Sequence, residues 1–250
     1  MTRDDAGRPC ELLEWDSEHF GFGIARVVGS ELDEATARLA DEWCAQRDVR
    51  CLYFVADADD AESARVAAES GFRAVDVRVS SRRSLSEEPP PVGPDGLEMG
   101  EAREAELDSL RSIAAVTHRG GGRFYFDGGF PPERCDALYV AWVDRGFRDP
   151  DRMLLAARVD GEPVAYQVVG PVEEGGGRRL ELLAVDPGRH GAGIGVGTLS
   201  GTIRLLRIAG TPEIWTILSA RNISTVRLHT RLGFLSEKVG VWHHKWYGRG

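Results

Sequence analysis

The chain has 250 residues, of which 42% are hydrophobic and 28% are charged. This length allows one large domain or two small ones, and the composition is typical of an ordinary globular protein. Acidic residues outnumber basic ones by 40 to 31, and the basic residues form no cluster along the sequence. We therefore expect no nucleic-acid partner.

Cysteine content and hydropathy bear on the compartment. The four cysteines show no Cys-x-x-Cys spacing, which excludes a disulfide framework and a typical structural zinc site. The first residues are polar, with no apolar signal-peptide core, and no stretch approaches 18 apolar residues. We expect a cytoplasmic protein with reduced thiols, no metal and no membrane partner.

The first part of the chain alternates strand and helix patterns. Short apolar or alternating runs indicate strands, while apolar residues at helical spacing and alanine-rich stretches indicate helices. The predicted strands are 24–28, 51–56 and 72–79, and the predicted helices are 32–44 and 62–70.

A proline-rich segment interrupts this pattern at 81–96 and shows no periodicity. Such composition is typical of a linker. The sequence therefore predicts a small N-terminal α/β domain at 1–80, a linker at 81–96 and a second domain at 97–250.

Beyond the linker the alternation resumes, with a glycine-rich break at 120–122 and a hairpin signal at Asp160-Gly161. The predicted helices are 101–116, 132–143, 198–209 and 224–232, and the predicted strands are 153–159, 163–169, 179–185, 213–218 and 234–247.

The two halves show a faint internal repeat. The Gly-Phe pair at 71 aligns with the pair at 233, and Asp60 then aligns with Asn222. Either the halves are related copies, or two similar strand–helix–strand pieces match by chance. Residues 28–35, which would match the glycine-rich loop of the second half, contain no glycine pair. If the copies are related, only the second could hold a phosphate.

The glycine-rich loop is the most informative stretch. A buried strand ends at Val185, Asp186-Pro187 makes a turn, and glycine then occupies every second position from 191 to 197 before a helix. A glycine-rich strand-to-helix turn exposes N–H groups at a helix N-terminus, which favours a pyrophosphate. The spacing matches neither the dinucleotide fingerprint nor a Walker loop. A tight turn without a ligand is the alternative.

Two motifs carry a resemblance to a known superfamily. Leu-Ala-Val-Asp-Pro followed by His190-x-x-Gly193-x-Gly195 resembles the coenzyme A loop of the GNAT acyltransferases, with His190 at their Gln/Arg position. Asn222 through the Gly-Phe pair at 233 resembles their second motif, with His229 where that motif has tyrosine. Both motifs occur in the superfamily's order.

The N-terminal half narrows the resemblance. Residues 14–22 followed by Arg26, then 123–127, then Leu-Tyr-x-x-Trp at 138–142, resemble the dTDP-fucosamine acetyltransferase family. The order of small domain, linker and GNAT domain is similar as well.

The resemblance implies a fold and a reaction. The fold would be an α/β GNAT fold, a mixed and mostly antiparallel sheet with helices on both faces, preceded by a small degenerate GNAT-like domain. The reaction would be direct transfer of acetyl from acetyl-CoA to the amine of a small acceptor, here a nucleotide-linked deoxyamino sugar. Another amine, such as an aminoglycoside, polyamine or peptide, is one alternative, and a non-catalytic acyl-CoA-binding module is another. The final strand is a candidate for pairing across a homodimer.

By the resemblance, the superfamily's coenzyme site corresponds here to the strand before the loop, to the loop itself and to the side-chain amide of Asn222. The strand before the loop would pair with the pantetheine arm and the loop amides would hold the pyrophosphate, while the amide could equally cap a helix. The residues are Leu183, Ala184, Val185, His190, Gly191, Ala192, Gly193, Ile194, Gly195 and Asn222.

Two residues are candidates for proton transfer. His229 could protonate the leaving thiolate as an imidazolium, or it could simply be a packed histidine. Glu181 could be the base, since alternation would put it on one face with Leu183 and Val185. The alternatives are a solvated strand charge for Glu181 and a bound water as the base.

The acceptor would lie over residues 117–130, where arginine can bind phosphate and tyrosine can stack. The candidates are His118, Arg119, Arg123, Tyr125 and Asp127. The alternative is that the phenylalanines here are core and that Arg123 and Asp127 form a local ion pair.

Two other groups have weaker functional signals. The aromatic residues at 15, 20 and 22 favour interdomain packing. His243 and His244 are adjacent in a predicted strand and would point to opposite faces, which argues against a shared metal site.

Overall fold

A computed structural model describes residues 7–89, 93–119, 121–172 and 176–248. The chain divides into two compact units that are not contiguous in sequence. The first contains the described residues up to Arg78, the segment Gly122–Arg134 and the residues from Lys238 onward. The second contains Val79–Gly121 and Cys135–Glu237.

The first unit is a sheet with helices. Its strands follow the order β1-β2-β3-β10, with the β2/β3 pair parallel and the others antiparallel. Strands β4 and β10 contribute residues to both units. The strands are β1 (Cys10–Leu12), β2 (Gly23–Val27), β3 (Val49–Asp57), β4 (Arg73–Ser84) and β10 (Leu235–Trp246), and the helices are α1 (Glu14–Phe20), α2 (Glu34–Ala45), α3 (Ala61–Glu69) and α5 (Arg123–Asp127).

Alternation along β3 builds two different faces. Leu52, Phe54 and Ala56 belong to an apolar core with residues of α2 and α3. The opposite face carries Tyr53, which lies level with His244 of β10 and stacks on its ring. One face of the first unit is therefore apolar, and the other combines aromatic with polar side chains.

The second unit is a mostly antiparallel sheet in the order β9-β8-β7-β6-β5, with one parallel pair, β8/β9. Two 3₁₀ turns lie at Glu104–Glu106 and Pro187–Arg189. The strands are β5 (Glu98–Glu101), β6 (Met153–Val159), β7 (Glu162–Pro171), β8 (Arg178–Val185) and β9 (Glu213–Ser219), and the helices are α4 (Leu107–Thr117), α6 (Pro132–Arg148), α7 (Ile194–Ile208) and α8 (Ile223–Arg231).

Helices cover both faces of this sheet. Leu199 and Ile203 of α7 share a buried cluster with Val169 of β7. On the other side, Gly146 of α6 lies so close to Val168 that a Cβ there would be 2.9 Å from a valine methyl. The predicted α/β class with a mixed, mostly antiparallel sheet is confirmed.

Several elements differ from their predictions. Residues 81–84 of the predicted linker complete β4, and Pro90 to Val92 lie outside the described residues, as does Gly120. The segment Gly122–Arg134 and the described residues from Lys238 onward belong with the first unit, because their side chains pack on β3 and the last strand pairs with it. Helix α1 was not predicted; it ends at Gly21, whose φ is 79°.

The hairpin prediction is confirmed, since Asp160 and Gly161 have φ of 53° and 82° between β6 and β7. All four cysteines are free and buried. None of the helices in the described part of the chain is both long and apolar enough to cross a bilayer.

Candidate active site

Strands β8 and β9 separate in the second unit. They pair in parallel only from Arg178 to Leu180, opposite Ile214 to Thr216. Beyond that point β8 continues to Val185 with its pairing to β7 intact. One edge of the last residues of β8 therefore faces a gap rather than a strand.

The main-chain groups of β8 can be assigned directions. The Asp186 N–H donates to the Val164 carbonyl at 2.9 Å, so Asp186 and, by alternation, Ala184 bond toward β7. Leu183 and Val185 consequently direct their main-chain groups toward the gap. The Val185 carbonyl already accepts bonds from the Thr117 hydroxyl and a His190 ring nitrogen. The main chain of Leu183 is thus the better placed to bind an extended ligand.

The glycine-rich loop lies exposed after β8. Gly191 and Gly193 have φ of 83° and 76°, which L-residues with side chains rarely adopt. Gly193 is the N-cap of α7 and offers no side chain to its first turn. The N–H groups of the first helical residues, Ile194 and Gly195, therefore have no partner within the helix.

This loop fits a pyrophosphate on chemical grounds. It combines exposed main-chain donors, an uncapped helix N-terminus and no nearby carboxylate in its own glycine run. One predicted donor is different: the His190 N–H bonds to the Pro187 carbonyl at 3.3 Å. Ala192, like its neighbours, is exposed.

Asn222 is the N-cap of α8. Its side-chain oxygen accepts from the Thr225 N–H at 3.1 Å. The helix-capping role proposed from the sequence is present. The side-chain amide nitrogen is not needed for that cap, so the predicted coenzyme contact stays a prediction.

His229 lies in a buried environment. It is 3% exposed, packs edge-on against Phe234, and its Nδ1 bonds to the Thr225 carbonyl at 2.8 Å. Because a carbonyl only accepts, Nδ1 carries the proton. Burial lowers the pKa of His229, although the Thr225 carbonyl opposes this. The side chain is neutral near pH 7, which favours the packed histidine over the imidazolium acid.

Glu181 is held in an ion-pair network. Its carboxylate lies 3.1 Å from Arg152 Nε and 2.6 Å from an Arg179 nitrogen. The β7/β8 register shifts between Val168 and Val169, and this irregularity breaks the alternation. Glu181 lies against Gly170, while Leu183 packs in the cluster that contains Val169. The predicted common face of Glu181 and Leu183 is not observed, and the Glu181 carboxylate is occupied by two arginines.

The predicted acceptor group is divided between the units. His118 and Arg119 belong to the second unit, and Arg123, Tyr125 and Asp127 to the first. Residues 123–127 form helix α5 rather than a loop. These five residues are therefore described as two separate groups.

His118 follows α4 near the end of β8. Its Nε2 lies 3.3 Å from the Tyr166 hydroxyl, and its ring stacks on Tyr139. Burial lowers its pKa to about 4, so it is neutral over the physiological range. Arg119 is exposed and pairs with Asp136 at 3.0 Å.

Arg123 and Asp127 are linked through His244 rather than to each other. The Arg123 guanidinium donates to His244 Nε2 at 3.3 Å, and His244 Nδ1–H donates to Asp127 at 2.8 Å. Asp127 also accepts from the Trp246 indole N–H. The local ion pair considered from the sequence is replaced by this chain, and the partly buried Tyr125 follows Arg123 on the same short helix.

The phenylalanines of this segment differ in burial. Phe124 and Phe130 are buried, as the core alternative expected, whereas Phe126 is 56% exposed. Phe20 and Phe22 contact Phe130 within the first unit. Their packing is thus part of that unit's own core.

Cys51, Asp127 and His244 place donor atoms within 4.8 Å of one another. Both ring nitrogens of His244 are already engaged, one by the Arg123 guanidinium. A cation there would lose a ligand and meet a positive charge. His243 faces the other side of β10, against Phe54. We assign no metal to this cluster.

Some polar partners had no sequence signal. Thr117 and Tyr166 are ordinary residues of a helix end and a strand. The packing of α4 on β8 brings Thr117 to the Val185 carbonyl, and the β7/β8 register places Tyr166 opposite Ala184. The sequence placed Trp242 in the predicted final strand and gave no sign of a functional role for it.

Comparison with known proteins agrees with this geometry. Residues 119–234 match the model of the acetyltransferase (GNAT) family. A mycothiol acetyltransferase of Clavibacter sepedonicus is 26% identical over 98% of this chain and 75% of that protein. The spore coat polysaccharide biosynthesis protein SpsD of Bacillus subtilis is 21% identical over 62% of this chain and 53% of that protein.

A solved structure has the same fold. A GCN5-related N-acetyltransferase from Sphaerobacter thermophilus superposes with a TM-score of 0.69 at 19% identity, covering 96% of this chain and 77% of that chain. The chain spans about three quarters of the Clavibacter relative and about half of the Bacillus one.

Proposed function

Since the chain is an acetyl-CoA-dependent N-acetyltransferase with the GNAT fold, we propose that its acceptor is the amine of a nucleotide-linked deoxyamino sugar. The observation that carries this proposal is the set of N-terminal motifs, 14–22 with Arg26 and 123–127, which resembles the dTDP-fucosamine family. Similarity to a polysaccharide biosynthesis protein supports a sugar acceptor.

For the coenzyme we propose the gap and loop of the second unit. The N–H groups from Gly191 to Gly195 would hold the pyrophosphate, and the free main chain of Leu183 would pair with the extended arm. Asn222 would add its amide nitrogen. The bound thioester supplies the activated acetyl group, and these contacts hold its carbonyl in place for attack.

The transfer itself is a direct displacement. The acceptor nitrogen bonds to the acetyl carbon, the carbon–sulfur bond breaks, and the proton released by the amine and that gained by the thiolate are exchanged with water. We assign neither proton to His229 or Glu181, because one is buried and neutral and the other is paired with arginine. His118, kept neutral and held by Tyr166, would orient the acceptor.

A mycothiol-type acceptor is the second candidate. The mycothiol acetyltransferase relative matches almost the whole of this chain, which is the specific reason to include it. The acceptor of mycothiol acetyltransferases is therefore tested as a substrate, together with polyamines, aminoglycosides and short peptides.

The test is free-thiol release from acetyl-CoA by the purified chain, with each acceptor separately and with none. We expect release with dTDP- or UDP-linked amino sugars. Release with the mycothiol-type acceptor alone would move the assignment to the second candidate. Release only with polyamines, aminoglycosides or peptides would overturn both.

A further inference from the structure

Two arginines of the first unit lie over one tryptophan ring. The Arg123 guanidinium carbon is 3.9 Å from the centroid of Trp242, and that of Arg78 is 5.6 Å from it. Arg78 lies against Gly240, where a Cβ would come within 3.2 Å of its Nε. The absence of a side chain at Gly240 leaves room for this arginine.

Neither guanidinium forms a direct ion pair within the part of the chain that the structure describes. Among the residues that the structure describes, no carboxylate oxygen lies within 4 Å of Arg78 or Arg123. This is unusual in a chain with 40 acidic and 31 basic residues. Elsewhere arginines do find carboxylates, as in Arg26 with Glu11 and Arg65 with Glu62.

Three nearby carboxylates act on these arginines without contacting them directly. Asp57 lies near Arg78, but its carboxylate pairs with Lys238 at 2.6 Å. Asp16 lies near Arg123, and burial raises the pKa of that carboxyl, which disfavours its charged form. Burial also lowers the pKa of Arg78, and the charges of Arg26 and Arg123 lower it further. Asp127 is linked to Arg123 only through His244, so neither half-buried cation is in direct contact with a carboxylate among the described residues.

We propose that Arg78, Arg123 and Trp242 form a binding site for a phosphate group of a small molecule. A guanidinium stacked on an aromatic ring keeps its N–H donors at the edge, where they can bind oxygen, and Arg123 uses one of its donors on His244. Two such groups without a direct carboxylate partner match a phosphate dianion in charge, and their planar donors suit its oxygens. A carboxylate, with one charge and two oxygens, matches less well.

This inference concerns binding within the first unit, and it stands whichever amine the enzyme acetylates. Arg123 was singled out in the sequence by its motif, whereas Arg78 and Trp242 were not. Only the packing of the first unit brings these two to Arg123.

The test is a titration of the whole chain with inorganic phosphate, followed by NMR. Coenzyme A is present in excess, so that the glycine-rich loop is not open to the probe. The readout is the indole N–H signal of Trp242, assigned with Trp242→Phe, together with the Nε–H signals of arginine. Sodium acetate and sodium chloride at equal ionic strength are the parallel arms.

We expect saturable shifts with phosphate and a dissociation constant at least about fivefold lower than with acetate. Arg78→Gln removes one charged donor and should weaken phosphate binding about tenfold. Arg65→Gln is the matched control, because it removes the same charge from an exposed helix of the same unit, and binding should be unchanged.

Three results would overturn the site: no saturable shift, equal shifts with acetate or chloride, or equal phosphate binding by Arg78→Gln and Arg65→Gln. Arg123→Lys serves as the second variant, since it keeps the charge but loses the planar fork. It should weaken phosphate binding while the spectrum of the free protein stays that of a folded chain. Undiminished binding by this variant would also contradict the proposal.

Discussion

His229 occupies the position at which the related motif has a tyrosine, and its surroundings decide what it can do. The ring is buried, donates its Nδ1 proton to a carbonyl one helical turn earlier, and packs against Phe234. Burial lowers its pKa, so the protonated form that could act as an acid is scarce near pH 7.

We expect His229→Phe, which keeps a packed ring but has no proton to give, to hold kcat within about twofold of the unmodified enzyme. Thiol release is measured well below the melting temperature, with coenzyme A affinity measured in parallel. A fall in kcat of about tenfold or more at unchanged affinity would restore the acid role.

Local features of the candidate site could be predicted from the sequence, whereas the surroundings of its side chains could not. The cap at Asn222 and the exposed glycines of the loop agree with the sequence reasoning. The burial of His229 and the pairing of Glu181 with Arg152 could not be predicted, because they depend on how distant segments pack.

At the scale of elements, the internal repeat has a structural counterpart. Asp60 caps α3 by accepting from the N–H three residues on, and Asn222 caps α8 in the same way. In each copy of the repeat a glycine follows the helix: Gly71 has a φ of 85° and Gly233 a φ of 80°. Both copies therefore use one local scheme of cap, helix and left-handed glycine.

The copies differ at another helix start. Asp33 caps α2 with its own carboxylate, which accepts from the Thr36 N–H at 2.6 Å. Gly193 at the start of α7 has no side chain to do this. The helix of the first half is satisfied internally, while that of the second is open to an external anion.

This contrast makes a prediction about α7. Gly193→Asp would put a carboxylate where the proposed pyrophosphate binds, and we expect coenzyme A affinity to fall at least about tenfold. Gly210→Asp is the matched control, because Gly210 has a φ of 81° beyond the other end of the same helix. Calorimetric titration of both variants checks the difference.

Equal losses in the two variants would indicate backbone strain rather than repulsion, and they would contradict the assignment of the loop.

The register shift between β7 and β8 could not be predicted from the sequence. A register shift leaves every residue in a strand and changes only which face each one takes.

At the scale of the whole molecule, the position of a segment in the sequence does not determine which of the two units it belongs to. The proline-rich stretch suggested a single boundary, yet Gly122–Arg134 and the last strand belong with the N-terminal residues. The reason is that β10 pairs with β3, a contact between residues far apart in the chain. No local pattern reports such a pairing.

Buried histidines give the molecule a pH dependence. Burial lowers the pKa of His118 and of His244 to about 4, so the unfolded chain binds protons on these side chains before the folded one does. Their contribution to stability is complete above the unfolded pKa near 6.5 and is lost as the pH falls toward 4.

Between pH 7 and pH 5, each such histidine should reduce the free energy of unfolding by about 2 kcal/mol. His118→Gln should remove that share of the loss, while His190→Gln, a substitution in the exposed loop, is the control. Urea unfolding at the two pH values measures it. The same loss in His118→Gln as in the control would show that His118 is not kept neutral.

The pairing of the last strand with β3 also affects how the chain is made. Trp246 pairs with Cys51, so most of the polypeptide is synthesised between the two. On the ribosome, one edge of β3 stays unpaired until β10 has been synthesised, while the segments of the second unit from 135 to 237 are already available to fold. An unpaired edge of this kind is a template for wrong partners. The nascent chain is therefore most exposed to misassociation until β10 has left the exit tunnel.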